Sequence, residues 1–296
     1  MEHLRYSVAA CQTDMPNPVE RGQMRLNTDR ILDIIDAAVA GSAPFLPVRL
    51  VVFPEFAHSA PVFPTVRELL KKLTVPIPNE HTERLAQKAR QHNLYIQSGS
   101  ILEEDPRWPG AVFNTTCLIG PGGILSRYRK VNPWIPFEVH SSSHDLPGYD
   151  ELLFPVADTP IGRIGCAICC DWLFPEAIRQ LAANGAELLL RLSAYMDPWG
   201  STEPMNWWSL INRVRALENI AYVVAANRGP RPIPSMGDAR IRRERKTTWR
   251  CRTKRTSGGS RQRSKISGEP MQRLDTCSSG TRKRHLGEGE ERRRRA

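Results

Sequence analysis

Apolar and polar positions alternate in two ways along the first 230 residues. Residues 6–11 and the apolar run 50–53 predict strands, whereas residues 23–39 carry apolar side chains three and four positions apart, which predicts a helix. The alternation continues, with helices predicted over 81–92, 175–183 and 204–219, a hairpin over 112–129, and strands over 94–102, 152–156, 163–169, 187–192 and 221–226. An alternation of this kind is typical of a layered α/β fold with mixed sheets.

The pattern ends abruptly between residues 230 and 240. Residues 240–296 contain 20 Lys and Arg against six Asp and Glu, which leaves 22 against 25 for residues 1–239, although the whole chain carries a net charge of +11. Only nine of these last 57 residues are hydrophobic, and they follow neither a helical nor a strand period. The sequence therefore predicts a globular domain over residues 1–230 and a disordered basic tail over residues 231–296.

The composition argues against a membrane or secreted protein. Hydrophobic residues make up 40% of the chain, but no apolar run approaches the roughly 20 residues that span a bilayer. Residues 1–6 are too polar to begin a secretory signal, and seven cysteines, an odd number in so long a chain, predict reduced thiols. We expect a cytoplasmic protein with no membrane partner.

Three of the cysteines, Cys166, Cys169 and Cys170, lie within the segment IGCAICCDWLFPE at 164–176. A zinc site needs about four ligands, and the chain offers no second Cys-x-x-Cys and no His pair at matching spacing, so no metal is expected. A redox pair would begin a helix, whereas Cys166 falls inside the predicted strand. Strand alternation places Cys166 and Cys170 on one face and Cys169 on the other.

Cys169 ends the predicted strand, just before a turn and the helix that begins at Pro175. A sulfur at such a junction is exposed to substrate, and the helix N-terminus favours its thiolate. The alternative is that all three cysteines are small buried hydrophobic residues, which is the commoner use of a free cysteine.

Three segments resemble the nitrilase-type carbon-nitrogen hydrolases. Residues 165–176, continuing to 185–189, resemble the nucleophile segment of that family, except that Cys170 stands where the family usually has Tyr or Trp. LVVFPEF at 50–56 resembles the glutamate motif and YRKVNPW at 128–134 resembles the lysine motif. The resemblance extends through residues 207–227.

The resemblance implies a Glu-Lys-Cys triad on a four-layer αββα sandwich. It assigns the nucleophile to Cys169, the general base to Glu55 and the stabilisation of the oxyanion to Lys130. Glu138 resembles the second glutamate that amidase branches of the family place behind the lysine, where it would position the substrate. No cofactor is implied.

The implied reaction is hydrolysis of a non-peptide carbon-nitrogen bond, in a small amide or an N-carbamoyl amine, through a cysteine thioester. One alternative is a nitrilase that acts on a small nitrile. The family also commonly dimerises through the helix that follows the nucleophile, here within residues 176–183, so a homodimer or larger homo-oligomer is expected.

The resemblance stops after residue 230, where the family would continue with further strands. We therefore expect the sandwich to lack its last strands, and we hypothesise that residues 231–296 are translated out of the ancestral frame. The remaining alternative is a catalytically impaired homologue whose basic tail binds nucleic acid through phosphate contacts. Nucleic acid is not the expected partner, because the tail has one aromatic residue, Trp249, and so no stacking platform.

Overall fold

The computed structural model describes residues 5–135, 138–195 and 204–229. Within these ranges a first sheet has five strands in chain order. The pairs β1–β2 and β2–β3 are parallel. The pairs β3–β4 and β4–β5 are antiparallel, because each is joined as a hairpin. The strands are β1 (Ser7–Ala10), β2 (Val48–Val52), β3 (Tyr95–Glu103), β4 (Phe113–Gly120) and β5 (Gly123–Arg129).

A second sheet has four strands, also in chain order. The first pair is antiparallel and the other two pairs are parallel. The strands are β6 (Val156–Thr159), β7 (Gly162–Ile168), β8 (Leu188–Ser193) and β9 (Tyr222–Asn227). The helices are α1 (Met24–Ser42), α2 (Val66–Lys72), α3 (Glu80–His92), α4 (Pro175–Ala183) and α5 (Trp207–Asn219), with short 3₁₀ helices at Arg21–Gln23 and Cys169–Leu173.

Alternation along the buried strands builds the layers. In β2, Leu50 and Val52 point toward the second sheet and join a core that includes Ile164 of β7, whereas Val51 packs with Ile31 of α1. The same intersheet core reaches Ile178 of α4 on the far side of the second sheet. The order is therefore helices, sheet, sheet, helices, which confirms the predicted αββα sandwich.

One predicted strand does not form, and one helix was not predicted. The strand expected over 152–156 does not form, since β6 begins only at Val156; Pro155, which has no N–H to donate to a ladder, immediately precedes it. Helix α2 was not predicted, although Thr65 and Glu68 carry its start signal: the backbone N–H of Glu68 donates to the Thr65 hydroxyl at 3.3 Å.

The predicted domain boundary at residue 230, the tail over 231–296 and the loss of the last strands lie outside the described residues, so they stay predictions. None of the helices in the described ranges is long and apolar enough to cross a bilayer.

Candidate active site

Glu55 lies in the turn that follows β2 and is buried between the two sheets. Its Oε1 accepts hydrogen bonds from Asn114 Nδ2 at 2.9 Å and from Lys130 Nζ at 2.8 Å. Its Oε2 accepts one from the backbone N–H of Ala194, just past β8, at 2.8 Å. The carboxylate therefore joins the end of a strand in one sheet to the end of a strand in the other.

Gly99 of β3 allows the turn that carries Glu55 to approach the sheet closely. Its φ is +74°, and a Cβ at this position would lie 2.5 Å from the Cβ of Ala57 and 2.8 Å from the carbonyl oxygen of Pro54. Only glycine fits that space and that backbone conformation without strain. The position of the glutamate thus depends on a residue outside its own motif.

Lys130 directly follows β5 and is buried between two carboxylates. Besides its contact with Glu55, Nζ donates to both oxygens of Glu138, at 2.9 Å and 2.8 Å. Glu138 is buried as well, and its Oε2 also accepts a hydrogen bond of 2.6 Å from the backbone N–H of Trp134. The structure thus brings together three of the four predicted site residues through one ammonium group.

The pKa values of the two carboxyl groups around Lys130 are shifted in opposite directions. Burial raises the pKa of Glu55, and the nearby charge of Lys130 only partly offsets it. Burial also acts on Glu138, but Lys130 and then His140 outweigh it and lower the pKa of that carboxyl. The pKa of Lys130 is held well above its usual range because Glu138 and Glu55 outweigh its burial. Of the two carboxyl groups, Glu138 is thus the more acidic and Glu55 is the one better suited to take up a proton.

Cys169 lies one residue beyond the end of β7 and opens the 3₁₀ helix Cys169–Leu173. Its φ is +46°, a left-handed conformation that is rare for residues other than glycine. The prediction that the strand continues to Cys169 was therefore wrong, and so was the alternation drawn from it. Because the chain leaves the strand at Ile168, Cys169 and Cys170 both line the same cavity.

The surroundings of Cys169 favour the protonated form of its thiol. Its pKa is raised well above the usual range, first by burial and then by the charge of Glu55, and Lys130 only partly opposes them. The expected effect of the following helix N-terminus is therefore outweighed. A group that removes the proton is required before this sulfur can act as a nucleophile.

The buried carboxylate of Asp171 connects the nucleophile segment to the lysine segment. One oxygen accepts from the backbone N–H of Ile168 at 2.8 Å and from the Tyr128 hydroxyl at 2.7 Å. The other accepts from the backbone N–H and the side-chain amide of Asn132, at 2.8 Å and 3.0 Å. Asp171 thus fixes the turn around Cys169 against residues on both sides of Lys130.

A cavity of about 150 Å³ opens over the thiol. That volume is below the roughly 300 to 1,000 Å³ of pockets for drug-sized ligands, so it suits a molecule of few atoms. Its described lining is mainly apolar and consists of Trp134, Cys169, Cys170, Leu173, Ala194, Tyr195 and Trp207.

Some residues of this site were not predicted from the sequence. Asn114 and the backbone N–H of Ala194 hold Glu55, but neither belongs to a motif. Arg191, whose guanidinium lies 5.5 Å from the ring centroid of Trp172 in the 3₁₀ helix that Cys169 opens, carried a visible signal as an isolated cation inside the apolar strand β8. Over the described ranges, no three His, Cys, Asp or Glu side chains are grouped so that they could hold a metal ion.

Comparisons with known proteins identify the family of this chain. The family model described as carbon-nitrogen hydrolase matches residues 7–232. Formamidases of Bacillus cereus (strain AH820) and Bacillus anthracis (strain A0248) are 32% identical over 213 residues, which cover 71% of this chain and 59% of each relative. This chain therefore matches less than two thirds of the length of those relatives.

Solved structures share the fold. Nit3 of Saccharomyces cerevisiae, described as a member of branch 10 of the nitrilase superfamily, has a TM-score of 0.61 and 25% identity, over 76% of each chain. An amidase from Nesterenkonia sp. AN1, with acrylamide added at its active-site cysteine, has a TM-score of 0.57 and 22% identity, over 76% of this chain and 79% of its own. By its match to the family model over most of its length, this chain belongs to the carbon-nitrogen hydrolase family of the nitrilase superfamily.

Proposed function

We propose that this protein hydrolyses the carbon-nitrogen bond of a small amide through a thioester on Cys169. The observation that carries the proposal is the placement of Lys130 between the buried carboxylates of Glu55 and Glu138, whose charges act on the Cys169 thiol at the cavity. The names of the relatives, formamidase and amidase, support the same reaction.

In the first step Glu55 takes the thiol proton, and the sulfur of Cys169 attacks the carbonyl carbon of the amide. A carbon–sulfur bond forms while the carbonyl π electrons move to the oxygen. The fixed positive charge of Lys130 stabilises that oxyanion in a site with little water. The raised pKa of Glu55 makes its carboxylate basic enough for this proton transfer.

The intermediate then collapses. The oxyanion re-forms the carbonyl, the carbon–nitrogen bond breaks, and Glu55 gives its proton to the leaving nitrogen, which departs as ammonia. A water molecule next gives a proton to Glu55 while its oxygen attacks the thioester. When the carbon–sulfur bond breaks, the acid is released and Cys169 takes the proton back from Glu55.

Glu138 keeps Lys130 oriented and charged throughout, because it is the carboxylate with the lowered pKa and holds the ammonium with both oxygens. We also expect an oxygen of Glu138 to accept a hydrogen bond from the substrate amine. Among the described lining residues none carries a permanent charge, and the cavity is small. Both features favour a short neutral substrate, such as formamide, over an N-carbamoyl amine with a charged tail.

Three expectations accompany this proposal as predictions. We expect a homodimer or larger homo-oligomer, formed through α4, and a cytoplasmic location for a protein with reduced cysteines. We also expect the tail over 231–296 not to bind nucleic acid. Light scattering of the full chain, and a salt titration of RNA binding by the full chain and by residues 1–229, test the first and the last.

The reaction is tested by ammonia release from a panel of formamide, longer aliphatic amides, small nitriles and N-carbamoyl amines. The variants are Cys169→Ala and, as a matched control, Cys166→Ala, which removes a buried thiol three residues earlier in β7. We expect background rates from the first variant and most of the parent rate from the second. Equal rates from the parent and Cys169→Ala would contradict the proposal.

A further inference from the structure

Arg191 of β8 is a completely buried cation. Its hydrogen-bond acceptors are neutral: Nε donates to the Ser193 hydroxyl at 3.3 Å, and Nη1 donates to Asn212 Oδ1 at 2.7 Å and to the Trp208 carbonyl oxygen at 3.4 Å. Within the described part of the chain, Nη2 has no acceptor and no carboxylate forms an ion pair with this guanidinium. A buried charge left in this state destabilises a fold unless another charge compensates for it.

Two other buried arginines show the usual arrangement. Arg129 lies 2.6 Å from both Glu103 and Asp105, and Arg215 lies 2.9 Å from Glu218. Each therefore has its counter-charge built into the fold. Arg191 differs from both, because no carboxylate among the described residues supplies its counter-charge.

Aromatic rings hold Arg191 and connect it to the nucleophile. Its guanidinium carbon lies 4.0 Å from the ring centroid of Trp208, 5.5 Å from that of Trp172 and 5.7 Å from that of Tyr195. Trp172 belongs to the 3₁₀ helix that Cys169 opens, and Tyr195 lines the cavity beside Cys169. The cation therefore packs against the 3₁₀ helix that begins at Cys169 and against a residue of the cavity wall.

The charges around the thiol explain why a second cation is useful there. Glu55 and Glu138 face Cys169 together with Lys130, and Asp171 adds a third buried carboxylate nearby. Once Glu55 has taken the thiol proton, Glu138 and Asp171 still outnumber Lys130, so the thiolate or the oxyanion forms in a site that is already negative.

Arg191 opposes this excess, because its positive charge acts on the Cys169 thiol. The other ionisable groups that act on Arg191 are Tyr195 and Arg215. Burial lowers the pKa of Arg191 to about 10, so the guanidinium stays charged at neutral pH.

We propose that Arg191 is a positioning residue for the reaction: it supplies the second fixed positive charge that stabilises the Cys169 thiolate and the oxyanion formed from it. The inference rests on the proposed function, since it takes Cys169 as the nucleophile. The Cys169 thiolate is in turn the counter-charge of this guanidinium, and it is present only after the thiol has lost its proton. Lys130 and Arg191 then act on the sulfur from different elements of the fold.

The test measures the rate of Cys169 alkylation by iodoacetamide in the full chain, from about pH 7 to about pH 9, where the rate follows the thiolate fraction. All proteins carry Cys170→Ser, so that one cavity thiol remains. The variants are Arg191→Gln, Arg191→Lys and the control Arg215→Gln, which removes an arginine that has its own carboxylate.

We expect Arg191→Gln to lower the alkylation rate at each pH about tenfold, which corresponds to a thiol pKa raised by about one unit. Arg191→Lys keeps the charge and restores most of the rate, and Arg215→Gln changes the rate less than about twofold. An unchanged rate in Arg191→Gln, or an equal fall in Arg215→Gln, would overturn the proposal.

Arg191→Lys decides the question if Arg191→Gln does not fold. Lysine retains the charge but loses the aromatic stacking and most of the hydrogen bonds, so an unchanged alkylation rate supports a role of charge, and a tenfold fall overturns it. Alkylation requires no amide turnover, so the readout is independent of the substrate. The proposed function fails separately, if Cys169→Ala hydrolyses amides at the parent rate.

Discussion

The Tyr128 hydroxyl donates a hydrogen bond of 2.7 Å to the buried carboxylate of Asp171. Tyr128 lies two residues before Lys130 and Asp171 lies two residues after Cys169, so this bond fixes the lysine segment against the nucleophile segment. We expect Asp171→Ala to lower the free energy of unfolding by about 2 to 3 kcal/mol, since it leaves buried donors without an acceptor. Urea unfolding and ammonia release measure the loss of stability and of turnover.

The control for that substitution is Asp158→Ala. Asp158 is an exposed residue of β6 that pairs with Arg163 at 2.9 Å, so its removal is expected to change stability by less than about 0.5 kcal/mol. Equal losses in the two variants would show that Asp171 has no special structural role.

The tripeptide Phe-Pro-Glu occurs twice, ending at Glu55 and at Glu176, and so provides a matched pair of variants. We expect Glu55→Gln to lower kcat by about 10² to 10⁴, the range for loss of a general base. Glu176 is exposed in the first turn of α4, and Glu176→Gln is expected to retain the parent rate. Steady-state ammonia release measures the activity of both variants. If Glu55→Gln were as active as Glu176→Gln, the assignment of Glu55 as the general base would be wrong.

Gly99 and Gly110 both have positive φ, but they differ in the space around them. A Cβ at Gly99 would collide with Ala57 and Pro54, whereas one at Gly110 would meet no atom within 4 Å. Gly110→Ala is therefore expected to lower the free energy of unfolding by only about 1 to 2 kcal/mol, because alanine is strained in this backbone conformation. Gly99→Ala is expected to lower the free energy of unfolding by more than that. It is also expected to lower kcat, because the turn that holds Glu55 must move. Thermal unfolding and ammonia release measure the stability and the turnover of the two variants. Similar losses of stability and turnover in both would contradict the steric explanation.

Buried neutral histidines predict a loss of stability in acid. His58 is fully buried, its Nε2 donates to the Ser98 carbonyl oxygen at 3.0 Å, and Thr28 lies between it and His81. Burial lowers the pKa of His58 to about 3. The unfolded chain takes up this proton near pH 6.5, so the stability is fully present above about pH 6.5 and falls by about 2 kcal/mol by about pH 5.

Urea unfolding at about pH 7 and about pH 5 measures this dependence. We expect the difference between the two pH values to shrink in His58→Gln, since glutamine does not titrate. His144→Gln is the control, because His144 is exposed in a loop. The explanation fails if His58→Gln keeps the full pH dependence of the parent.

The layered fold was predictable because strands and helices impose different apolar periods. The run at 50–53, for example, predicted a buried strand, and its residues contact helices on one side and the second sheet on the other. The course of the chain at Cys169 was not predictable from periodicity. Alternation describes only a residue that is still in a strand, and a left-handed φ at a cysteine leaves no pattern in the neighbouring residues.

The site was predictable only where a motif marked it. Glu55, Lys130 and Cys169 each follow a strand, and the structure brings the first two into direct contact. The burial of Glu138 was not predictable, because a loop glutamate is usually solvated and its two hydrogen bonds to Lys130 depend on the path of the loop. Asn114 and Ala194 contribute through tertiary contacts that no local pattern specifies.

The bond between Glu55 and the backbone of Ala194 joins positions 139 residues apart in the chain. During synthesis the glutamate leaves the ribosome long before the segment that will hold it, so the assembled site is one of the last features to form. Contacts of such long range also slow folding, because the chain closes a large loop before it gains the contact. A nascent or fragmentary chain that ends before residue 194 therefore carries the glutamate, lysine and cysteine motifs without the backbone N–H that holds Glu55.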